Sequence, residues 1–385
     1  MKNCQVNEAV QNGPIRVLQV IGIMNRGGAE TMIMNLYREI DRSKVQFDFV
    51  ENSFERAAYD DEIEALGGKI YRCPHFNGKN YFQYKKWWKE FFKQHKDEYG
   101  IVHGHIGSTA AIYLKEAKRN GLFTIAHSHS SGFTFSVGSI LYRVLSYNTR
   151  NIADYFFACS DSAGRDRFGK GIVSKSNYRV LNNAIDTDLF KYDVKTRNEV
   201  RKELSLENSY VVGHIGRFET VKNHKFIIEV FKCIKNKENK NFKLLLVGEG
   251  ILKRDIENYA KELGVEDDVI FTGMRTDVNR LIQAMDVFIF PSLYEGLPVT
   301  LVEVQSSGLP CVISDKVPSE SIMTKDLVTV KRLDESSEEW AEHIIKRTGE
   351  ERVSRTDDII AKGYDISKTS KELMDFYMNI GINHE

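Results

Sequence analysis

Short apolar runs rich in Val, Ile and Phe, alternating with longer stretches of helical period, constrain this chain more than any other feature. Such runs mark strands buried on both faces of a parallel sheet and joined by crossover helices. They come in two series. Residues 17–21, 47–50, 101–103, 123–126 and 155–158 form the first, with Val180 and Leu181 leading out of it; residues 210–215, 243–247, 269–272, 287–290 and 311–313 form the second. A chain of 385 residues exceeds what one hydrophobic core sustains. The pattern therefore predicts an α/β protein built from two Rossmann-like, doubly wound parallel-sheet domains. The polar stretch 182–193, containing NAIDTDLF, reads as the connector, with a first domain over 1–188 and a second over 189–364. A last helix within 365–385 carries Leu373, Met374, Phe376, Tyr377 and Ile380 as an apolar stripe, and is expected to pack back on the first domain.

Composition excludes several classes of function. Lys plus Arg equals Asp plus Glu at 54 each, so no basic field supports nucleic-acid binding. Through residue 190 there are 25 basic and 20 acidic side chains, a modest excess that can turn the first half toward an anionic surface. No run of about 18 apolar residues occurs, and the segment before Ile15 lacks the apolar centre of an export signal. The five cysteines are odd in number and widely spaced, as in a reduced compartment. The expectation is a cytoplasmic protein, at most peripheral at the inner face of a membrane.

In open parallel sheets, ligands bind beyond the carboxyl ends of the strands, so the residues that follow each strand carry the functional information. The segment SLYEGLPVTLVEVQSSGLP, 292–310, places Glu295 in a loop after a strand and Glu303 inside the next helix. Gly296 lets a ligand approach the backbone, and Pro298 suits a first helical turn. The amides of Val299, Thr300 and Leu301 would then point from a positive helix end toward an anion or a sugar oxygen. The segment GHIGRFETVKNH, 213–224, places Arg217 and Lys222 after Gly216, spaced so that both cations can reach one point, as a diphosphate requires. The turn GIMNRGGAET, 22–31, offers Gly27 and Gly28 at a helix start. It lacks the G-x-G-x-x-G fingerprint, which disfavours a nicotinamide-dependent oxidoreductase.

With its glycines and prolines in this order, 292–310 resembles the E-x7-E motif of the family 4 retaining glycosyltransferases (glycosyl transferases group 1), which share the GT-B fold. The resemblance covers most of the chain and is strongest from 213 to 315. It implies two Rossmann-like domains facing across a cleft, with donor in the second and acceptor in the first. It implies that Glu295 lies by the donor sugar with Gly296, Leu297 and Pro298, and that Glu303 takes the ribose hydroxyls. Arg217 and Lys222 look like the family's diphosphate-binding pair, Met274 and Arg275 stand near the base, and Gly27 and Gly28 border the reacting centre.

Two H-x-H pairs, His103 with His105 and His127 with His129, follow neighbouring strands. Residues two apart on a strand share a face, so four imidazoles can approach one metal ion; no clear carboxylate partner accompanies them, which weighs against a metal. The resemblance gives His127, or failing it His129, a place near the donor sugar. Asp186-Thr187-Asp188 spells the D-x-D used elsewhere to hold a cation, but it falls in the connector, where it resembles the family's N-G-x-D with Ala184 in place of Gly.

The expected activity is metal-independent, cofactor-free transfer from a nucleotide-diphosphate sugar, a UDP-sugar by the commonest choice among relatives, to a glycan or lipid-linked acceptor. The rival readings are a non-catalytic sugar-nucleotide binding partner and a same-fold epimerase. Residues 79–96 hold six Lys and one acid among seven aromatics. They suit either an interfacial helix on anionic lipid or, the favoured alternative, a crossover helix whose aromatics are core.

Overall fold

The computed structural model describes residues 13–129 and 146–382. Cys4 and residues 383–385 lie outside them. The chain divides into two units, Met1–Ala184 with Ile366–Glu385, and Ile185–Asp365. The break falls at Ala184 rather than at 188, because Ala184 is buried in the first core and Ile185 in the second.

In the first unit, β1 (Ile15–Ile21), β2 (Val45–Glu51), β3 (Ile70–Arg72), β4 (Ile101–Gly104), β5 (Phe123–Ser128), β6 (Tyr155–Ala158) and β7 (Tyr178–Val180) form one sheet in the order β3-β2-β1-β4-β5-β6-β7. In the second, β8 (Tyr210–Ile215), β9 (Phe242–Val247), β10 (Val269–Phe271), β11 (Val287–Phe290), β12 (Cys311–Ser314) and β13 (Val328–Lys331) run β10-β9-β8-β11-β12-β13. Every pairing in both sheets is parallel. Strand order reverses between β1 and β4, and again between β8 and β11, and such switch points are where doubly wound sheets open a crevice for ligands.

Each sheet is covered on both faces. In the first unit Val17, Ile33, Tyr37 and Phe47 pack on one face with Leu373 and Tyr377 of the helix Ile366–Ile382, which lies against the helix Gly28–Glu39. Leu18, Val20, Trp88, Tyr113 and Phe156 fill the other. In the helix Tyr81–Gln94 the aromatics Tyr84, Trp88, Phe91 and Phe92 are buried, and the helix packs on Ala110–Arg119. Its apolar face is therefore core. Phe82 alone among its large aromatics is mostly exposed, at 83%, and Lys85 and Lys86 lie 3.9 and 3.7 Å from Glu116 and Glu90. Among the described residues no helix is long and apolar enough to cross a membrane.

Candidate functional site

In the second unit, three turns meet at the carboxyl ends of β8, β9 and β11. Gly216 N–H donates to Val247 O (3.0 Å), Phe218 N–H to Glu249 O (3.0 Å), and Leu293 N–H to Val221 O (2.8 Å). The glycines here are required by contact. A Cβ on Gly248 would lie 2.1 Å from the Gly216 carbonyl oxygen, and one on Gly250 2.6 Å from that of Phe218, closer than any real side chain approaches.

At the β8/β11 switch point Lys222 and Glu295 meet. Lys222 Nζ donates to Glu295 Oε1 at 2.6 Å, with side chains 19% and 12% exposed. The lysine stem runs over Gly216, where a Cβ would lie 3.3 Å from its Cγ and Cδ, and its ammonium stands 4.8 Å from the centre of the Phe290 ring. Glycine floor, aromatic wall and carboxylate together fix one position for the charge. A part-buried ion pair of this kind costs several kcal/mol to break on one side only, because the remaining charge is left without a partner.

Arg217 departs from the expected geometry. It is exposed and pairs with Glu219 at 2.9 Å, so the two cations do not converge on one point. Each has a carboxylate of its own, which removes the reason for two like charges to approach. Arg275 likewise grips Asp277 with both guanidinium arms, at 2.7 Å each, and Met274 is 58% exposed beside it.

Glu303 sits in the helix Val299–Ser306, half-buried, its carboxylate without a hydrogen-bond or ion-pair partner among the described residues. Removal from water pushes its carboxyl up to about 7. Pro298 stands one residue before that helix rather than inside it. Its carbonyl accepts the Leu301 amide at 3.0 Å, so of the three amides expected to be open, the first two alone lack a backbone acceptor among the described residues. Leu297 is buried beneath the loop, and Gly296 and Thr300 are half-buried.

Sequence reasoning missed the layer beneath. His214 and His224 are buried, with rings 4.8 Å apart edge to face. His224 stacks on Phe218 at 4.1 Å. Burial, and then the Lys222 charge, hold the His224 ring down at about 4, so the ring is uncharged near neutral pH. Both histidines fall inside the 213–224 segment, and the signal for them was a histidine within an otherwise apolar strand and another at a helix start.

In the first unit, Gly27 caps the helix Gly28–Glu39 without a side-chain bond, and open space surrounds a Cβ position on Gly28. The start of the turn is held by Asn52, whose N–H donates to Gly22 O at 2.8 Å, and the neighbouring Glu51 accepts Arg72 at 2.5 Å. At the β1/β4 switch point all four histidines come together. His103 lies in β4 and His127 in β5, with His105 and His129 just beyond. His127 is on the fifth strand of the sheet, one of whose earlier strands, Ile70–Arg72, the apolar pattern hides. Ring nitrogens of His103, His105 and His127 lie within 4.8 Å of one another, yet both nitrogens of His103 and of His105 are engaged in hydrogen bonds. Burial pulls every one of the four well below the ordinary imidazole range, His103 to about 3 and His129 to about 4. Asp186 of the D-x-D sequence accepts the Leu189 amide at 3.0 Å as a turn residue.

Residues 196–364 match the family Glycosyl transferases group 1, and residues 26–189 match Glycosyltransferase Family 4. The Bacillus subtilis protein EpsF, named as a glycosyltransferase, is 34% identical over 373 residues, 94% of this chain and 96% of its own length. The Escherichia coli UDP-Gal:alpha-D-GlcNAc-diphosphoundecaprenol alpha-1,3-galactosyltransferase is 27% identical over 228 residues, 57% of this chain and 59% of that protein. The crystal structure of Anabaena Alr3699/HepE in complex with UDP and glucose shares the fold at a TM-score of 0.75 and 17% identity, covering 95% of this chain and 100% of that one.

Proposed function

The chain belongs to the group 1, family 4 glycosyltransferases of GT-B fold, and on that footing we propose a specific reaction: retaining transfer of a sugar from a UDP-sugar to a hydroxyl of a glycan or lipid-linked acceptor, in surface or exopolysaccharide synthesis. The observation that carries this reading is the Lys222–Glu295 pair at the β8/β11 switch point. An ammonium fixed beside a carboxylate at a strand-end crevice can release the carboxylate to a sugar hydroxyl and turn its charge to a departing diphosphate. Negative charge builds on that diphosphate as the glycosidic bond breaks, so a preorganised cation stabilises the transition state without a metal. Arg217 would leave Glu219 to join it.

In the same reading Glu303 accepts the ribose hydroxyls, Met274 and Arg275 border the base, and the amides after Pro298 meet donor oxygens. Gly27, Gly28 and His127 serve the sugar and the incoming hydroxyl, which attacks on the face the diphosphate leaves. The undecaprenol-linked substrate in the Escherichia coli relative's name supports a lipid-linked acceptor. Peripheral contact at the inner face of the membrane would then fall to Phe82 and the lysines of 79–96, the aromatic face being core.

Turnover against a panel of nucleotide sugars, with proton NMR of the product's anomeric centre, tests the reading. A UDP-sugar should be consumed in the presence of EDTA, with the donor's anomeric configuration kept in the product. An inverted centre, or nucleotide binding with no transfer to any glycan acceptor, would overturn it.

A further inference from the structure

The four histidines of the first unit form two hydrogen-bonded chains, each with a defined beginning. One runs from Tyr377 on the helix Ile366–Ile382: its hydroxyl lies 2.6 Å from His103 Nδ1, and His103 Nε2 lies 3.1 Å from His127 Nδ1. The other runs from Gln19 on β1: its Oε1 lies 2.8 Å from His105 Nε2, and His105 Nδ1 lies 2.7 Å from His129 Nε2. The far nitrogens, His127 Nε2 and His129 Nδ1, are buried without a partner among the described residues, and the two rings lie 4.1 Å apart.

Each neutral imidazole has one N–H and one bare nitrogen, so fixing the first link fixes every later one. The Tyr377 hydroxyl is buried, with His103 Nδ1 at 2.6 Å and the Gln19 side chain as its other partner; Gln19 Oε1 is taken by His105, so the Gln19 amide N–H donates to the phenol oxygen and leaves His103 Nδ1 to accept the phenol proton. A buried hydroxyl proton seeks an acceptor; Tyr377 therefore donates to His103 Nδ1. His103 must then carry its proton on Nε2 and donate to His127 Nδ1, which leaves the His127 proton on Nε2. In the second chain an amide oxygen can only accept, so His105 donates to Gln19 from Nε2 and accepts at Nδ1 from His129 Nε2. All four rings take the same tautomer. The chains nevertheless end oppositely, one in an N–H and one in a bare nitrogen.

We propose that Tyr377 and Gln19 are positioning residues that set the tautomers of these chains, so that His127 presents a permanent N–H donor and His129 a bare acceptor. The two form an uncharged receptor for one substrate hydroxyl group, which can accept from one ring and donate to the other. That His127 faces the sugar rests on the function proposed above; the tautomers do not.

The test is long-range nitrogen–proton NMR of the full chain carrying ring-labelled histidine, near pH 7, with His127→Gln and His129→Gln to assign the signals. His103, His105, His127 and His129 should all show Nδ1 bare and Nε2 protonated. Tyr377→Phe should let His103 and His127 populate the reversed tautomer while His105 and His129 stay unchanged. It should also lower kcat roughly tenfold with little change in donor KM, as loss of one hydrogen bond made in the transition state does. His103→Gln, which keeps an N–H donor toward His127, should hold that tautomer and retain more activity than His103→Leu, and both variants leave Tyr377 itself in place. A protonated Nδ1 on His127 in the unaltered protein overturns the proposal. So does a Tyr377→Phe spectrum without change at His127, or nitrogen signals that move on adding zinc. If the tautomers follow Tyr377 while kcat does not, the positioning stands and the place of His127 in the transfer falls.

Discussion

Two sheets of the same design reverse strand order at their first strand, yet they fill the two switch points with opposite chemistry. At β1/β4 stand four imidazoles with no counter-charge among the described residues, kept neutral by burial and linked in hydrogen-bonded pairs. At β8/β11 an ammonium and a carboxylate remain part-exposed and paired. A charge survives near a protein interior where an opposite charge and some solvent remain, and is neutralised where neither is present. The division suits the proposed reaction, in which one partner is a diphosphate that needs cations and the other a hydroxyl that needs only direction.

The charged switch point is the more sensitive of the two. Lys222→Ala or Glu295→Ala should lower turnover by about 10²- to 10³-fold, and the double variant should lose little more than either alone, as groups acting as a unit do. Near-normal initial rates in either single variant would remove the second switch point from the reaction. The uncharged end predicts the smaller, roughly tenfold loss for Tyr377→Phe.

Glu303 sharpens the contrast through pH. Its carboxyl is held up at about 7, and only the ionised form accepts two hydroxyl protons. Nucleotide affinity should therefore fall as pH drops through that value, by about tenfold between pH 8 and pH 6. Binding calorimetry on Glu303→Gln, which cannot titrate there, separates this from the nucleotide's own protonation: an equal slope in both proteins would release Glu303 from the ribose. The smallest effect is expected at 79–96, where the core claims the aromatic face. Replacing Lys85, Lys86 and Lys89 by Ala should reduce flotation with anionic liposomes by about twofold, and identical flotation would end the case for lipid contact there.

Much of this was open to sequence reasoning, and what was not has physical causes. The buried strands announce themselves because both faces are apolar. Ile70–Arg72 and Val328–Lys331 do not, because they are sheet edges, three or four residues long and only half covered. Lys222 and Glu295 lie 73 residues apart but each follows a strand, and two strand ends adjoining a switch point must meet. Arg217 was misplaced because a carboxylate two residues on competes for it locally. Nothing in the sequence ties Tyr377 to His103: 274 residues separate them, and a tyrosine in an apolar helical stripe looks like any other core residue.

The return of the helix Ile366–Ile382 to the first unit means that the second unit is an insertion within the first. A ribosome that has finished the opening 184 residues has made a sheet with one flank of its packing still unwritten, and the phenol that orders its histidines still to come. Premature termination anywhere before Ile366 would therefore cost the amino-terminal half its competence as well, tying the quality of a site made early to the fidelity of a helix made later.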